Sequence, residues 1–310
     1  MSDSPAGSVS SKWTITRMPN LTGETVIVTG ANSGIGLETA RVFATKGAHV
    51  VLAVRDEGRG RDAAATIEGS TEVRPLDLAD LASVRAFAND WTGNIHALVN
   101  NAGVMVPPLG HTKDGFELQF GTNHLGHFAL TNLLLPYITG RVITVASSAH
   151  RSGTIDFDDL NWSTRRYGGG ASAYEQSKLA NLLFSLELHR RLTASGSPVI
   201  STAAHPGMTA TNLMSSSESA IMTAFAKVVV RLFAQDPVSG ATPTLFAATE
   251  PIPGGSYAGP SNRREMAGPP ILVGRSDEAA NPDVAARLWA VSEELTGVRY
   301  PAALLEGGSL

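Results

Sequence analysis

Tyr174 and Lys178 lie four residues apart in Ala-Tyr-Glu-Gln-Ser-Lys-Leu-Ala-Asn, a spacing that puts a phenol and an ammonium on one face of a helix. A free tyrosine titrates at about 10 and is a poor proton shuttle at neutral pH. A neighbouring cation favours the phenolate and brings acid–base chemistry within reach. The same spacing also fits an ordinary solvated helix face, so the rest of the chain has to decide between the two.

A second chemical signal is the run Thr29-Gly30-Ala31-Asn32-Ser33-Gly34-Ile35-Gly36, with spacing G-x-x-x-G-x-G. It joins an apolar strand pattern to a helical one. Glycines there let backbone approach a pyrophosphate, and a helix N-terminus offers free N–H groups and a positive dipole end. Gly30, Asn32, Ser33, Gly34, Ile35 and Gly36 are therefore the expected phosphate cradle. At the end of the next strand Val54 stands where an acid would accept from a ribose 2′-hydroxyl, and Arg55 follows it. A guanidinium fork suits a 2′-phosphate, so the pattern favours NADP(H) over NAD(H). The plain alternative is a surface arginine paired with Asp56 or Glu57. Asp77 and Leu78, after the third strand, are placed to meet the adenine edge, although an Asp capping the next turn reads equally simply.

The elements that must position these residues alternate in a βαβ rhythm from Thr25 to His205. Strands are expected at Thr25–Thr29, His49–Val54, Glu72–Arg74, Ala97–Val99, Arg141–Ala146 and Val199–Ala204. Between them, helices are expected at Gly34–Lys46, Gly58–Glu68, Leu81–Trp91, Phe116–Tyr137 and Ala173–Ser195. Right-handed crossovers wind such a chain into a doubly wound parallel α/β sheet of Rossmann type, with its crevice at the carboxyl ends of the strands. Beyond His205 the pattern gives apolar helices near Ala220–Ala234 and Pro237–Ala248, a short closing strand at Ser256–Ala258, and a tail helix near Asp283–Thr296. The reading is one domain over residues 21–310, with a helical substrate lid at about 208–236 and a flexible arm over residues 1–20.

The 310 residues carry a net charge of −4 and no cysteine. That balance offers no basic stripe for nucleic acid, and the missing thiols exclude disulfides and thiolate metal sites. No run of eighteen apolar residues occurs. A soluble, cytoplasmic protein with a small-molecule substrate and no metal is the expectation.

Six ordered segments then converge: Thr29–Gly36, Asn100-Asn101-Ala102-Gly103, Asn123 in Thr-Asn-His-Leu-Gly-His-Phe, Ser147-Ser148, Tyr174-x-x-x-Lys178 and Pro206-Gly207. Over nearly its whole length the chain resembles the classical short-chain dehydrogenase/reductases, and it is most similar to their retinol-dehydrogenase-like branch. The resemblance implies hydride transfer between a nicotinamide and a carbonyl or alcohol. Tyr174 would be the general acid or base. Lys178 would lower its pKa and bind the nicotinamide ribose. Ser148 would donate to the substrate oxygen; strand alternation lets only one of Ser147 and Ser148 point into the crevice, and family register favours Ser148. Asn123 would hold a water in a proton relay, unless it marks a helix irregularity. Asn101, Ala102 and Gly103 would pack on the adenosine half, while Pro206, Gly207, Met208, Thr209 and Thr211 would grip the carboxamide. Homo-oligomerisation is also implied, with a four-helix seam on Phe116–Tyr137 and Ala173–Ser195.

Between Ser148 and Tyr174 lies a long insertion, His150–Ser172, expected at the rim of the substrate pocket. Its Asp156, Asp158 and Asp159 have no partner set of metal ligands. The apolar Ala220–Ala234 segment suggests a lid over a lipophilic aldehyde, ketone or alcohol. A catalytically silent NADP(H)-binding regulator is the alternative from another class, and a light-dependent pigment reductase the enzymatic one. The intact Asn–Ser–Tyr–Lys set speaks against the first, and the absence of that branch's cysteine against the second.

Overall fold

Apolar runs of five or six residues such as Thr25–Thr29 and His49–Val54 are buried on both faces, as strands in the middle of a parallel sheet must be. The computed structural model describes residues 13–207, 237–262 and 264–301. Seven parallel strands, β1 (Thr25–Thr29), β2 (His49–Val54), β3 (Thr71–Pro75), β4 (Ile95–Asn100), β5 (Ile138–Val145), β6 (Ile200–Ala204) and β7 (Tyr257–Asn262), stand in the order 3-2-1-4-5-6-7. An eighth, β8 (Ala267–Leu272), pairs antiparallel to β7 at the edge. The sequence reading stopped at one closing strand. Pro269 and Pro270 hide β8, because proline lacks the N–H a ladder needs and is tolerated chiefly at an edge.

Helices α1 (Gly34–Thr45), α2 (Glu57–Ala64) and α3 (Leu81–Asn89) connect the first strands. Asp56 and Asp80 cap α2 and α3 by accepting from first-turn N–H groups. The expected continuous helix over Phe116–Tyr137 is instead α4 (Leu118–Phe120), a π turn (Gly121–Leu125), α5 (Gly126–Leu134) and a final 3-10 turn. Then follow α6 (Ala171–Ala194), α7 (Pro237–Thr249) and α8 (Pro282–Thr296).

Strand alternation sorts the core into two layers. Val26, Val28, Val50 and Leu52 meet Phe43 and Phe246 on one face. Ile27, Val51 and Leu98 meet Phe128, Phe184 and Trp289 on the other. Trp289 of α8 stacks on Phe184 of α6 at 5.7 Å between centroids and meets Phe128 of α5 edge-on at 4.9 Å. The chain's own tail helix thus packs on α6 and touches α5, the elements expected to carry a dimer seam.

Of the arm expected over residues 1–20, the structure describes residues 13–20. Trp13 is buried edge-on against Phe246 and donates to Glu250, which also pairs with Arg17. The expected lid lies outside the described residues. Because β1 to β6 are parallel, Thr29, Val54, Asn100, Val145 and Ala204 all end on one edge of the sheet, and the site is built there.

Candidate active site

After Thr29 the chain must turn sharply from β1 into α1. Gly30 does this at φ +66°, where a Cβ would stand 3.0 Å from Ala102. At Gly36 a Cβ would fall 2.4 Å from Asn101 Nδ2 and 2.6 Å from the Gly30 carbonyl. Ser33 begins α1 without a side-chain cap, leaving the first-turn N–H groups for an outside acceptor. Asn101 closes the cradle: its Nδ2 donates to the Thr29 carbonyl at 2.8 Å. Gly30, Gly36, Asn101 and Ala102 are thus brought together, with Asn32, Ser33, Gly34 and Ile35 at the open rim. A narrow backbone cradle at a helix N-terminus fits a dinucleotide pyrophosphate.

Arg55 is exposed beyond β2. Its two acidic neighbours are engaged elsewhere, Glu57 with Arg61 at 3.1 Å and Asp56 as the cap of α2. Among the described residues Arg55 forms no ion pair. Asp77 caps the following turn through Ala79 N at 3.0 Å, so the plain reading of that residue holds in part, with its second oxygen left over. Leu78 is buried in the lower core layer, and its carbonyl would sit 2.4 Å from a Cβ at Gly126.

At the end of β5 the Val145 carbonyl accepts from Lys178 Nζ and from Asn181 Nδ2, each at 3.1 Å. Lys178 is 4% exposed and pairs with no carboxylate among the described residues. Burial alone pulls its pKa down to about 8. The ammonium lies 5.6 Å from the centroid of the Tyr174 ring, one helical turn away. Burial raises the Tyr174 pKa, and the nearby Ser147 side chain works in the opposite direction. Desolvation outweighs the charge that the spacing suggested.

The serine pair follows at the end of β5, where the Ser147 side chain accepts from Ala149 N at 3.2 Å. The chain leaves the ladder after Val145, and Ser147, still extended at φ −157° and ψ 156°, caps a 3-10 turn over Ser148–Ser152. Ser148 opens that turn and is exposed.

Asn123 sits in the π turn, so the helix-irregularity reading is realised too. Its Oδ1 accepts from Val104 N at 2.8 Å, and its Nδ2 donates to the Val104 carbonyl and to Ser177 Oγ at 2.9 and 3.0 Å. Both amide hydrogens are engaged, and its main-chain carbonyl meets His127 Nδ1 at 3.0 Å. Gly103 is tucked between them: a Cβ there would be 3.1 Å from Asn123 Oδ1 and 3.7 Å from Lys178 Nζ.

At the end of β6, His205-Pro206-Gly207 turns toward the crevice; Met208, Thr209 and Thr211 lie outside the described residues. Sequence reasoning missed the support behind this turn. Glu265, on the β7–β8 connection, lies 3.2 Å from His205 Nε2 and 3.1 Å from Arg151 Nη2, joining the Gly207 turn to the serine turn. The insertion's acids have structural partners: Asp159 accepts from the backbone of Ser163, Thr164 and Arg165, and Asp156 pairs with Arg165. No metal-ligating cluster occurs among the described residues.

A half-buried phenol one helical turn from an ammonium that pairs with no carboxylate among the described residues, beside a pyrophosphate cradle at the carboxyl edge of a parallel sheet, fits a nucleotide-dependent oxidoreductase. The comparisons agree: the family model for short chain dehydrogenase matches residues 24–159. Human "Retinol dehydrogenase 13" is 43% identical over 296 residues, covering 90% of this chain and 86% of the relative. Mouse "Polyprenol dehydrogenase" is 42% identical over 299 residues, with 90% and 86% covered. Among solved structures, an uncharacterized protein of Mycobacterium paratuberculosis is 50% identical with a TM-score of 0.81, covering 94% of this chain and all of its own. A Beutenbergia cavernae protein assigned as an NAD(P)-dependent gluconate 5-dehydrogenase, with NADP bound at low occupancy, is 26% identical with a TM-score of 0.56, covering 74% and 91%. The chain belongs to the short-chain dehydrogenase/reductase family, in its retinol-dehydrogenase-like branch. It is an NAD(P)-dependent oxidoreductase acting on alcohol and carbonyl groups.

Proposed function

We propose that the protein is an NADP(H)-dependent reductase or dehydrogenase of lipophilic aldehydes, ketones or alcohols, with Tyr174, Lys178, Ser148 and Asn123 as its catalytic set. The observation that carries the reading is the buried Lys178 ammonium, which pairs with no carboxylate among the described residues and lies 5.6 Å from the centroid of the Tyr174 ring. The bound nicotinamide supplies or accepts the hydride. In reduction, Tyr174 holds the proton that the carbonyl oxygen takes up, and Ser148, exposed at the carboxyl edge of the sheet, donates a second hydrogen bond to that oxygen as its charge develops. Lys178 makes loss of the phenol proton easier, and a water held at Asn123 would serve as the relay. Proton exchange with solvent can then run past Lys178.

Arg55 supports the NADP(H) preference. It is exposed, unpaired among the described residues, and follows directly from the end of β2, where no acid competes for the ribose. The relatives' names, retinol and polyprenol dehydrogenase, support a lipophilic substrate. No helix among the described residues is long and apolar enough to cross a membrane; cytoplasmic residence is part of the proposal, checked by cell fractionation.

The test is the oxidation of NADPH and NADH over aldehydes and ketones of graded chain length, with Arg55→Ala beside the wild type. A charge-assisted contact to phosphate contributes about 1.5–3 kcal/mol. The variant should therefore raise the NADPH KM by roughly ten- to a hundredfold and leave the NADH KM unchanged. Equal use of both cofactors by the wild type would remove the preference.

A further inference from the structure

Three residues after Gly103, the backbone of Val106 is left-handed, at φ +54°. Valine is poorly suited to this conformation: its branched Cβ clashes there, and the residue before a proline, here Pro107, is steered toward extended backbone. A dedicated bracket holds it. The Val106 N–H donates to Gln119 Oε1 at 2.8 Å, and the buried Gln119 is itself fixed by bonds from its Nε2 to Tyr167 Oη and to the Gly170 carbonyl, both 2.8 Å. Strain kept in place by buried hydrogen bonds points to a use for the displayed side chain.

What is displayed is apolar. The segment Val104-Met105-Val106-Pro107-Pro108-Leu109 has no polar side chain, and Val106 and Leu109 are 37% and 50% exposed. The segment hangs from the candidate catalytic set, since Asn123 grips Val104 by both N–H and carbonyl. Counted along the chain from Gly103, which abuts Lys178 Nζ, the Val106 Cα lies at most about 11 Å away.

We infer that Val106, with Leu109 beside it, is a specificity-determining residue: an apolar wall that takes the aliphatic chain on the substrate's carbonyl carbon. The inference rests on the active-site reading above, and its test is a binding measurement that does not require turnover.

1-Alkanols from butanol to dodecanol are titrated calorimetrically into the full-length protein saturated with NADP⁺. Wild-type affinity should rise about fourfold per methylene. Val106→Asn tolerates the left-handed backbone but loses the apolar surface; Val106→Gly relieves the strain and removes the side chain. Both should roughly halve the gain per methylene, with melting temperature unchanged or higher and NADP⁺ affinity unchanged. Chain-length dependence identical to wild type in both variants, affinity independent of chain length in the wild type, or a lost dependence accompanied by a lower melting temperature would each overturn the wall. Chain-length-dependent binding with no turnover of any carbonyl would leave the wall standing and remove the reductase reading; turnover with affinity independent of chain length would do the reverse.

Discussion

The imidazole of His127 links Asn123 to Thr29. Its Nδ1 lies 3.0 Å from the Asn123 carbonyl and its Nε2 lies 2.9 Å from Thr29 Oγ1. A carbonyl can only accept, so Nδ1 carries the proton and Thr29 donates to Nε2. The two lone pairs of Thr29 Oγ1 then accept from the N–H groups of Asn101 and Ala102, each at 2.9 Å. The π turn that carries Asn123 is thereby tied to the cofactor cradle through one neutral imidazole, all of it buried.

A second proton on His127 would break that link. Burial lowers its pKa to about 4 and that of the neighbouring His124 to about 3, both below the usual 6.5. Between those values the unfolded chain binds protons that the native state refuses, so stability falls as pH falls. We expect urea midpoints to be level above pH 6.5 and to drop steadily toward pH 5. His127→Gln, which cannot take the proton, should be less stable at pH 7.5 and lose less on acidification. A midpoint that rises on acidification from pH 7 to pH 5 would contradict the buried neutral state.

Ser147 and Ser148 are adjacent but occupy different surroundings. Removing one preorganised donor from a developing oxyanion costs about a hundred- to a thousandfold in kcat. Ser148→Ala should show such a loss with cofactor affinity intact, while Ser147→Ala, which removes the cap to Ala149 N, should mainly cost stability, by about 1 kcal/mol. Steady-state kinetics on the two variants decides between the serines, and an inverted result would give the role to Ser147.

Lys178 illustrates a conflict between stability and activity. Its ammonium is buried without a carboxylate, and a pKa near 8 against the ordinary 10.5 corresponds to a destabilisation on the order of 3 kcal/mol at neutral pH. The cost is present below pH 8 and fades as pH rises toward 10.5, because the unfolded lysine holds its proton through that window. Lys178→Met should melt higher than wild type at pH 7, helped by Asn181 still satisfying the Val145 carbonyl, and should lose nearly all activity. A lower melting temperature would mean that the ammonium is a structural prop.

Much of this was legible in the sequence for a local reason. The glycine cradle, the Asn101-Ala102-Gly103 turn and the Tyr174–Lys178 pair are short segments whose spacing matches the backbone that holds them, and the strands of the parallel sheet show as uninterrupted apolar runs. What stayed hidden depends on tertiary context. Alternation admits only one of the two serines, but the ladder ends at Val145, before either of them. The π turn at Asn123 is set by long-range bonds to Val104 and Ser177, which no periodicity encodes. The left-handed Val106 runs against its own propensity, and β8 is written in prolines. The Glu265 contacts join segments more than fifty residues apart.

The central claim is that Tyr174 moves the proton while the cofactor site stands independently of it. Tyr174→Phe removes one oxygen from a half-buried ring and little else. Carbonyl-dependent oxidation of NADPH, followed at 340 nm beside NADPH binding by fluorescence, should fall by at least about a thousandfold in the variant, in line with loss of a positioned general acid, while the cofactor Kd stays within about twofold of wild type. Turnover close to wild type in Tyr174→Phe would contradict the account.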